Sequence, residues 1–237
     1  MNEKTVNQIR KSMRRLGSRE RAELSQRYFK TGPGQYGEGD IFLGLNATEL
    51  KGLASEHRDL AMDDLLLLLK STVHEERMLA LMILVRAFTK GDSATKKRIY
   101  ETYLEHTRFI NNWDLVDASA QHIVGHFLMD KSRKPLYALA RSGSMWERRI
   151  AIISTFWFIR QNQITDTLRI SKLLISDKED LIHKAVGWML REGGKRDLPG
   201  LESFLKEHYK KMPRTMLRYA IEKFSEPQRQ LYLKGQI

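Results

Sequence analysis

Three groups of side chains have the types and spacing to act on a charged partner. The first is Trp113 with Asp117, inside the helical stretch Asn112–Phe127. At about 100° per residue the two stand about 40° apart and one turn along the helix. An indole and a carboxylate are thus neighbours at the rim of the apolar stripe Val116, Ala120, Ile123 and Phe127. The second group is Lys184, Trp188, Arg191 and Lys195, whose spacings of 4, 3 and 4 make one ridge. Cations with an aromatic among them suit a nucleic-acid-facing helix. A core-edge tryptophan beside solvated cations fits the same spacing, since large aromatics are usually well buried. The third is Arg149, in line with Ile153 and Phe156 on the apolar side of its helix. A guanidinium placed there needs an anion. Asp117 could supply it through a salt bridge, or a phosphate could accept the planar fork. Arg148 reads as a solvated charge, and Asp114 as the acidic first-turn residue of a helix capped by Asn112.

Other chemistry is sparse. The chain has no cysteine, which excludes disulfides, thiolate metal sites and a cysteine nucleophile. His122 and His126 are four apart with no evident third ligand, so they read as packing or surface residues. No GxxxxGK[ST] or GxGxxG phosphate cradle occurs, and there is no helix-hairpin-helix signature. Neither a metal nor a cofactor is implied. Gly193-Gly194 reads as a helix C-cap.

The elements that must position these residues are helices. Met1–Lys30 reads as two polar-faced helices broken at Gly17-Ser18, and Thr31–Asp40, with four glycines and a proline, as a loop. Asn46 with Glu49 forms a capping box. From about residue 62 onward apolar residues recur at three- and four-residue spacing. Long helices are predicted to begin near Val73, Asn112, Met145, Glu179 and Arg214, with a small residue recurring at Ala80, Ala118, Ala151, Ala185 and Ala220. Shorter helices are expected before each of them, over 62–70, 94–106, 132–142, 165–176 and 197–208. Helix pairs at a period of 33 to 39 residues predict an all-α chain, an α-solenoid of HEAT-like helical repeats with a curved, basic concave face. We expect one domain over 1–237: N-terminal helices with the Gly-rich loop in 1–60, helix-pair repeats in 61–223, and a C-terminal helix or tail in 224–237.

Charge points to a class of partner, though a solvated basic surface with no partner has the same composition. Of 237 residues, 41 are Lys or Arg and 29 are Asp or Glu, a net +12. Residues 1–130 hold 19 basic and 18 acidic residues, whereas 131–223 hold 20 and 10. Such asymmetry favours a polyanion, and nucleic acid is the commonest in a cell. No apolar run approaches the length of a bilayer span, and MNEKTVNQIR lacks a signal peptide's apolar stretch. A soluble, cytoplasmic protein without membrane contact is expected.

The segments NNWDLVDASA (111–120), MWERRIAII (145–153) and KAVGWMLRE (184–192), with RYFK (27–30) and FLGL (42–45), resemble the AlkD-type alkylpurine DNA glycosylases, which are built of HEAT-like repeats. The resemblance covers essentially the whole chain. It implies a monomer that cleaves the N-glycosidic bond of N3- or N7-alkylated purines in duplex DNA, leaving the lesion in the stack. By matching motifs it makes Asp117 the catalytic carboxylate and Trp113 and Trp188 the aromatics against the lesion's backbone. Arg149 becomes the cation gripping a DNA phosphate. Tyr28 and Arg191 fall near the DNA path, and Lys184 and Lys195 extend the DNA-binding ridge. Thr31–Asp40 is longer than the family pattern. Two other readings remain: a non-catalytic DNA-structure-binding protein on the same HEAT-repeat scaffold, and a protein-binding solenoid with an incidental basic face.

Overall fold

Caps and breakers set the helix boundaries. In the computed structural model, which describes residues 3–237 with side chains from Thr5 onward, α1 (Glu3–Leu16) stops before Gly17. α2 (Arg19–Tyr28) starts from Ser18, whose hydroxyl accepts from the Arg21 N–H. α1 is less polar than its sequence suggests, since Val6, Ile9 and Met13 are buried, while α2 buries nothing. Thr31–Asp40 is a run of turns. The Asn46–Glu49 capping box opens α3 (Ala47–Glu56) as predicted. Then come α4 (Met62–Leu69), α5 (His74–Lys90), α6 (Ser93–Glu105) and α7 (Trp113–Ala120), followed by a π-helical turn at Gln121–Gly125. The remainder is α8 (Lys134–Leu139), α9 (Met145–Arg160), α10 (Thr165–Leu173), α11 (Asp180–Gly194), α12 (Leu198–His208), α13 (Arg214–Ala220) and α14 (Glu226–Lys234). Each long helix begins within one residue of its predicted start.

The fold class is all-α. Among the described residues there is no strand, only an isolated bridge between Ile41 and Val73. None of the described helices is long and apolar enough to cross a membrane.

Two compact units divide the chain inside α7, Met1–Ser119 and Ala120–Ile237. In the first, α1 packs on α4, and α3, α4 and α6 pack on α5, around Leu68, Leu69, Leu79, Ile83 and Leu84. In the second, the π-helical turn, α9, α11 and α13 neighbour one another in series, with α8, α10 and α12 packed alongside. That serial pairing is what the period of helix pairs predicts. Ala80, Ala151, Ala185 and Ala220 are buried, whereas Ala118 is exposed.

Glycine permits the tightest helix contacts of the second unit. A Cβ on Gly125 would lie 2.2 Å from the Ser154 carbonyl oxygen, and one on Gly187 2.5 Å from both the Met216 carbonyl oxygen and the Tyr219 Cβ. Gly193-Gly194 ends α11 as expected, but the C-cap position falls on Lys195, and Gly194 serves packing. α11 runs through both residues, Lys195 after them keeps a right-handed φ of −67°, and a Cβ on Gly194 would meet the Leu201 side chain at 2.3 Å. The predicted stripe holds for Val116, Ala120 and Ile123, but Phe127 is only half-buried. A π-helical turn carries one residue more than an α-turn and so re-aims whatever follows it.

Gly125→Ala and Gly187→Ala should each destabilise the second unit by about 1–3 kcal/mol through overpacking. Gly52→Ala, in α3 with nothing within 4 Å of the new methyl, should stabilise by up to about 1 kcal/mol. Thermal unfolding followed by circular dichroism distinguishes the two signs.

Candidate functional site

Four consecutive titratable residues open α5, and all are buried: His74, Glu75, Glu76 and Arg77 are each only 3–4% exposed. Burial of such groups is tolerated only with partners at hydrogen-bonding distance. The Glu75 carboxylate accepts the backbone N–H groups of Leu43 (3.0 Å), Gly44 (2.7 Å) and Leu45 (3.3 Å). Glu76 pairs with Arg10 at 3.0 Å. Arg77 donates to Asp40 Oδ1 at 2.7 Å and to the Ser71 carbonyl at 2.9 Å. His74 spans two acids, with Nδ1 3.2 Å from Asp40 Oδ2 and Nε2 2.8 Å from Asp114 Oδ2.

Asp40 closes the Gly-rich segment and takes a third donor, Asn112 Nδ2, at 3.3 Å. Burial alone would raise its pKa, but the His74 hydrogen bond and the Arg77 charge reverse this and hold it below the ordinary 3.8. Burial likewise opposes the charged form of His74. The hydrogen bonds to Asp114 and Asp40 outweigh it, and the imidazole pKa lies above the ordinary 6.5.

A stack of rings rises from this network. Phe42 lies on His74 (4.6 Å between centroids, 22°) and on Phe29 (5.0 Å, 14°), and Phe29 lies on Trp113 (5.3 Å, 21°). Tyr28, 65% exposed, meets Trp113 edge-on at 5.9 Å. Asn112 Oδ1 accepts the Trp113 N–H and Asp114 Oδ1 the Leu115 N–H, both at 2.8 Å. The first turn of α7 is therefore pinned by α5, by the Gly-rich segment and by Phe29. Asp117 sits one turn further on, half-buried and engaged. Below it, the Tyr103 hydroxyl shares a 2.9 Å hydrogen bond with Ser119, and burial, with the Asp117 charge adding to it, pushes that phenol's pKa up.

Trp113, Asp117 and Tyr28 are thus assembled within the first unit, and Asp114 is structural, as its position suggests. Sequence spacing does not reveal Phe29, Asp40, Phe42, His74 or Arg77. The available signals are Phe29, which follows Tyr28 in the RYFK motif, and Phe42, which opens FLGL.

The second unit holds the remaining candidates. Arg149 is 5% exposed, and its Nη1 donates to the Leu181 carbonyl in the first turn of α11. Arg148, expected to be solvated, is instead an ion-pair partner. Its Nε lies 2.6 Å from Asp177 Oδ2, and its Nη1 reaches the Ser142 and Gly143 carbonyls. The Asp177 side chain is only 5% exposed, and a buried carboxylate requires such a fork.

On α11 the ridge forms as spaced, but its cations already hold acids. Lys184 pairs with Asp180 at 2.7 Å, Lys195 with Glu192 at 2.7 Å, and Arg191 with Glu192 and Glu222. Trp188 is half-buried with its ring 5.6 Å from Phe156, and the Arg160 guanidinium lies over the Phe156 ring at 4.5 Å. Phe156, Arg160, Glu192, Lys195 and Arg196 line a shallow depression there. His126 stacks on Trp157 at 4.2 Å, as a packing residue would. This unit holds 22 basic and 12 acidic residues, a net +10 of the chain's +12.

Two tests follow from these pairings. Arg148→Ala should cost about 3 kcal/mol by stranding the buried Asp177 carboxylate. Lys184→Ala, which removes an exposed pair, should cost under about 1 kcal/mol, and urea unfolding compares the two. The contribution of His74 should be complete below about pH 6.5, the unfolded value, and lost as pH rises through the higher folded value. A fall in stability as pH rises above 6.5 that His74→Gln abolishes would show this.

No curated protein matches the chain. A solved structure described as a predicted DNA alkylation repair enzyme from Enterococcus faecalis superposes with a TM-score of 0.68 at 17% identity, over 89% of this chain and 97% of that one, a likeness of fold. The sequence model of the DNA alkylation repair enzymes matches residues 9–224, nearly the whole chain. This protein belongs to the DNA alkylation repair enzyme family.

Proposed function

We propose that the protein is a monofunctional DNA glycosylase that hydrolyses the N-glycosidic bond of N3- or N7-alkylated purines in duplex DNA. It would act as a monomer, without a cofactor and with the lesion left in the stack. Family membership supports DNA alkylation repair, with DNA as the partner. The observation that carries the finer reading is Asp117 standing one turn beyond a clamped Trp113 on α7.

The chemistry asks little of such a site. An alkylpurine cation departs with the bonding electron pair as a neutral base, so no general acid is needed. Positive charge then develops on the deoxyribose. A carboxylate fixed beside it stabilises that charge and aligns the attacking water, whose oxygen bonds to C1′ while its proton passes to Asp117 or to solvent. Indole faces add cation–π attraction where water is excluded. In this reading Trp113 and Trp188 supply those faces. Arg149, its guanidinium plane set by the Leu181 carbonyl, lies beside a phosphate. Tyr28, Lys184, Arg191 and Lys195 follow the DNA backbone. Exchange of the ridge cations from Asp180, Glu192 and Glu222 to phosphates would make binding strongly salt-dependent.

Incubation with methylated duplex DNA and chromatography of the released bases tests the proposal. N3- and N7-methylpurines should be released, and Asp117→Asn should slow their release by about 100-fold or more while DNA affinity persists. A wild-type protein that binds the duplex and releases no base would be the non-catalytic binder instead. Trp188→Ala should slow release without a large fall in melting temperature.

A further inference from the structure

We infer that His74 is a positioning residue: its imidazolium ties the Gly-rich segment to the first turn of α7 and so sets the placement of Trp113 and Asp117. The inference rests on the proposed reading of Asp117 as the reacting carboxylate. Its basis is the hydrogen-bond geometry of the buried network.

Both ring nitrogens of His74 face carboxylate oxygens, Asp40 Oδ2 at 3.2 Å and Asp114 Oδ2 at 2.8 Å. An ionised carboxylate only accepts hydrogen bonds, so two such contacts require a proton on each nitrogen. A neutral imidazole satisfies one of them and turns a lone pair toward the other oxygen. The two acids would not be affected equally. Asp40 also holds Arg77 and Asn112, whereas the hydrogen bonds described for Asp114 are those from His74 and from the adjacent Leu115 N–H. Either neutral tautomer breaks one of the two ties, so the link between the Gly-rich segment and α7 is complete only in the imidazolium.

The groups facing the ring are few. Asp40 approaches from the Gly-rich segment, Asp114 from α7 and Arg77 from α5 itself, while Phe29 and Phe42 cover its faces. The same Phe29 lies flat on Trp113. The clamp thus acts on α7 twice, through the carboxylate of Asp114 and through the ring stack. Asp117 is three residues beyond Asp114 on the same helix. A displaced carboxylate matters because catalytic rate is steep in the placement of reacting groups.

The test compares His74→Gln, Asp114→Asn and the double variant on methylated duplex DNA, alongside amide hydrogen exchange in α7. Each single variant should lower kcat by about 10- to 100-fold with KM for DNA little changed. The double variant should be no worse than the more severe single one, because both remove the same contact. Wild-type kcat should fall on an alkaline limb that both variants lack. Exchange in α7 should quicken while α4 and α5 stay protected. Asp114→Asn retains the residue's size and serves if His74→Gln fails to fold. Folded variants with wild-type kcat, the same alkaline limb and unchanged exchange would overturn the inference. A wild type that releases no base overturns the glycosylase reading instead. The exchange rates then decide the clamp by themselves, quickened exchange upholding it and unchanged exchange sinking it.

Discussion

The first unit is organised around a buried electrostatic constraint. Four titratable side chains at the head of α5 are withdrawn from water, and each must meet its complement at hydrogen-bond distance. Satisfying them fixes much of the surroundings. Glu75 gathers three N–H groups of the segment before α3, Glu76 holds α1 through Arg10, and Arg77 and His74 together hold Asp40. His74 then carries the constraint to Asp114 and α7. Such networks stabilise weakly relative to an apolar core of the same shape, yet they penalise every arrangement that leaves one member unpaired. Here that selectivity acts on the helix bearing Trp113 and Asp117.

The second unit is built differently. Its long helices approach so closely that glycine is needed at Gly125 and Gly187, and the core between them is apolar. Charge lies mostly toward the outside and is heavily positive. Much of it is held in pairs such as Lys184–Asp180 and Lys195–Glu192. An exposed pair such as Lys184–Asp180 is worth little, so a polyanion can replace that carboxylate at small cost. Arg148 and Arg149 are exceptions, because one neutralises a buried aspartate and the other holds a backbone carbonyl at the start of α11. These two arginines belong to the architecture whatever else they touch.

The proposed chemistry suits such a scaffold. A substrate that is already cationic needs no proton donor and no metal to activate its leaving group. What it needs is a negative charge and aromatic faces held still while positive charge moves onto the sugar. Packed helices with a cross-tied first turn provide that rigidity more surely than loops do.

Much of this was legible in the amino-acid order. Helix starts, the capping box at Asn46, the pairing period and the lopsided charge all follow from local rules, in which a residue's neighbours at three and four positions decide its environment. The adjacency of Trp113 and Asp117 came the same way, as did the burial of Arg149. Other features depend on partners far away in the chain. His74 and Asp114 are 40 positions apart, and Asp40 and Asn112 are 72 apart, so no periodicity could join them. Arg148 reads as solvated until Asp177 is placed beside it, and Gly194 at the end of α11 reads as a cap until Leu201 comes within reach. Helical periodicity determined what forms and which side faces inward. Tertiary packing alone decided which buried charges meet, because an ion pair is specified by distance in space and leaves no period in the sequence.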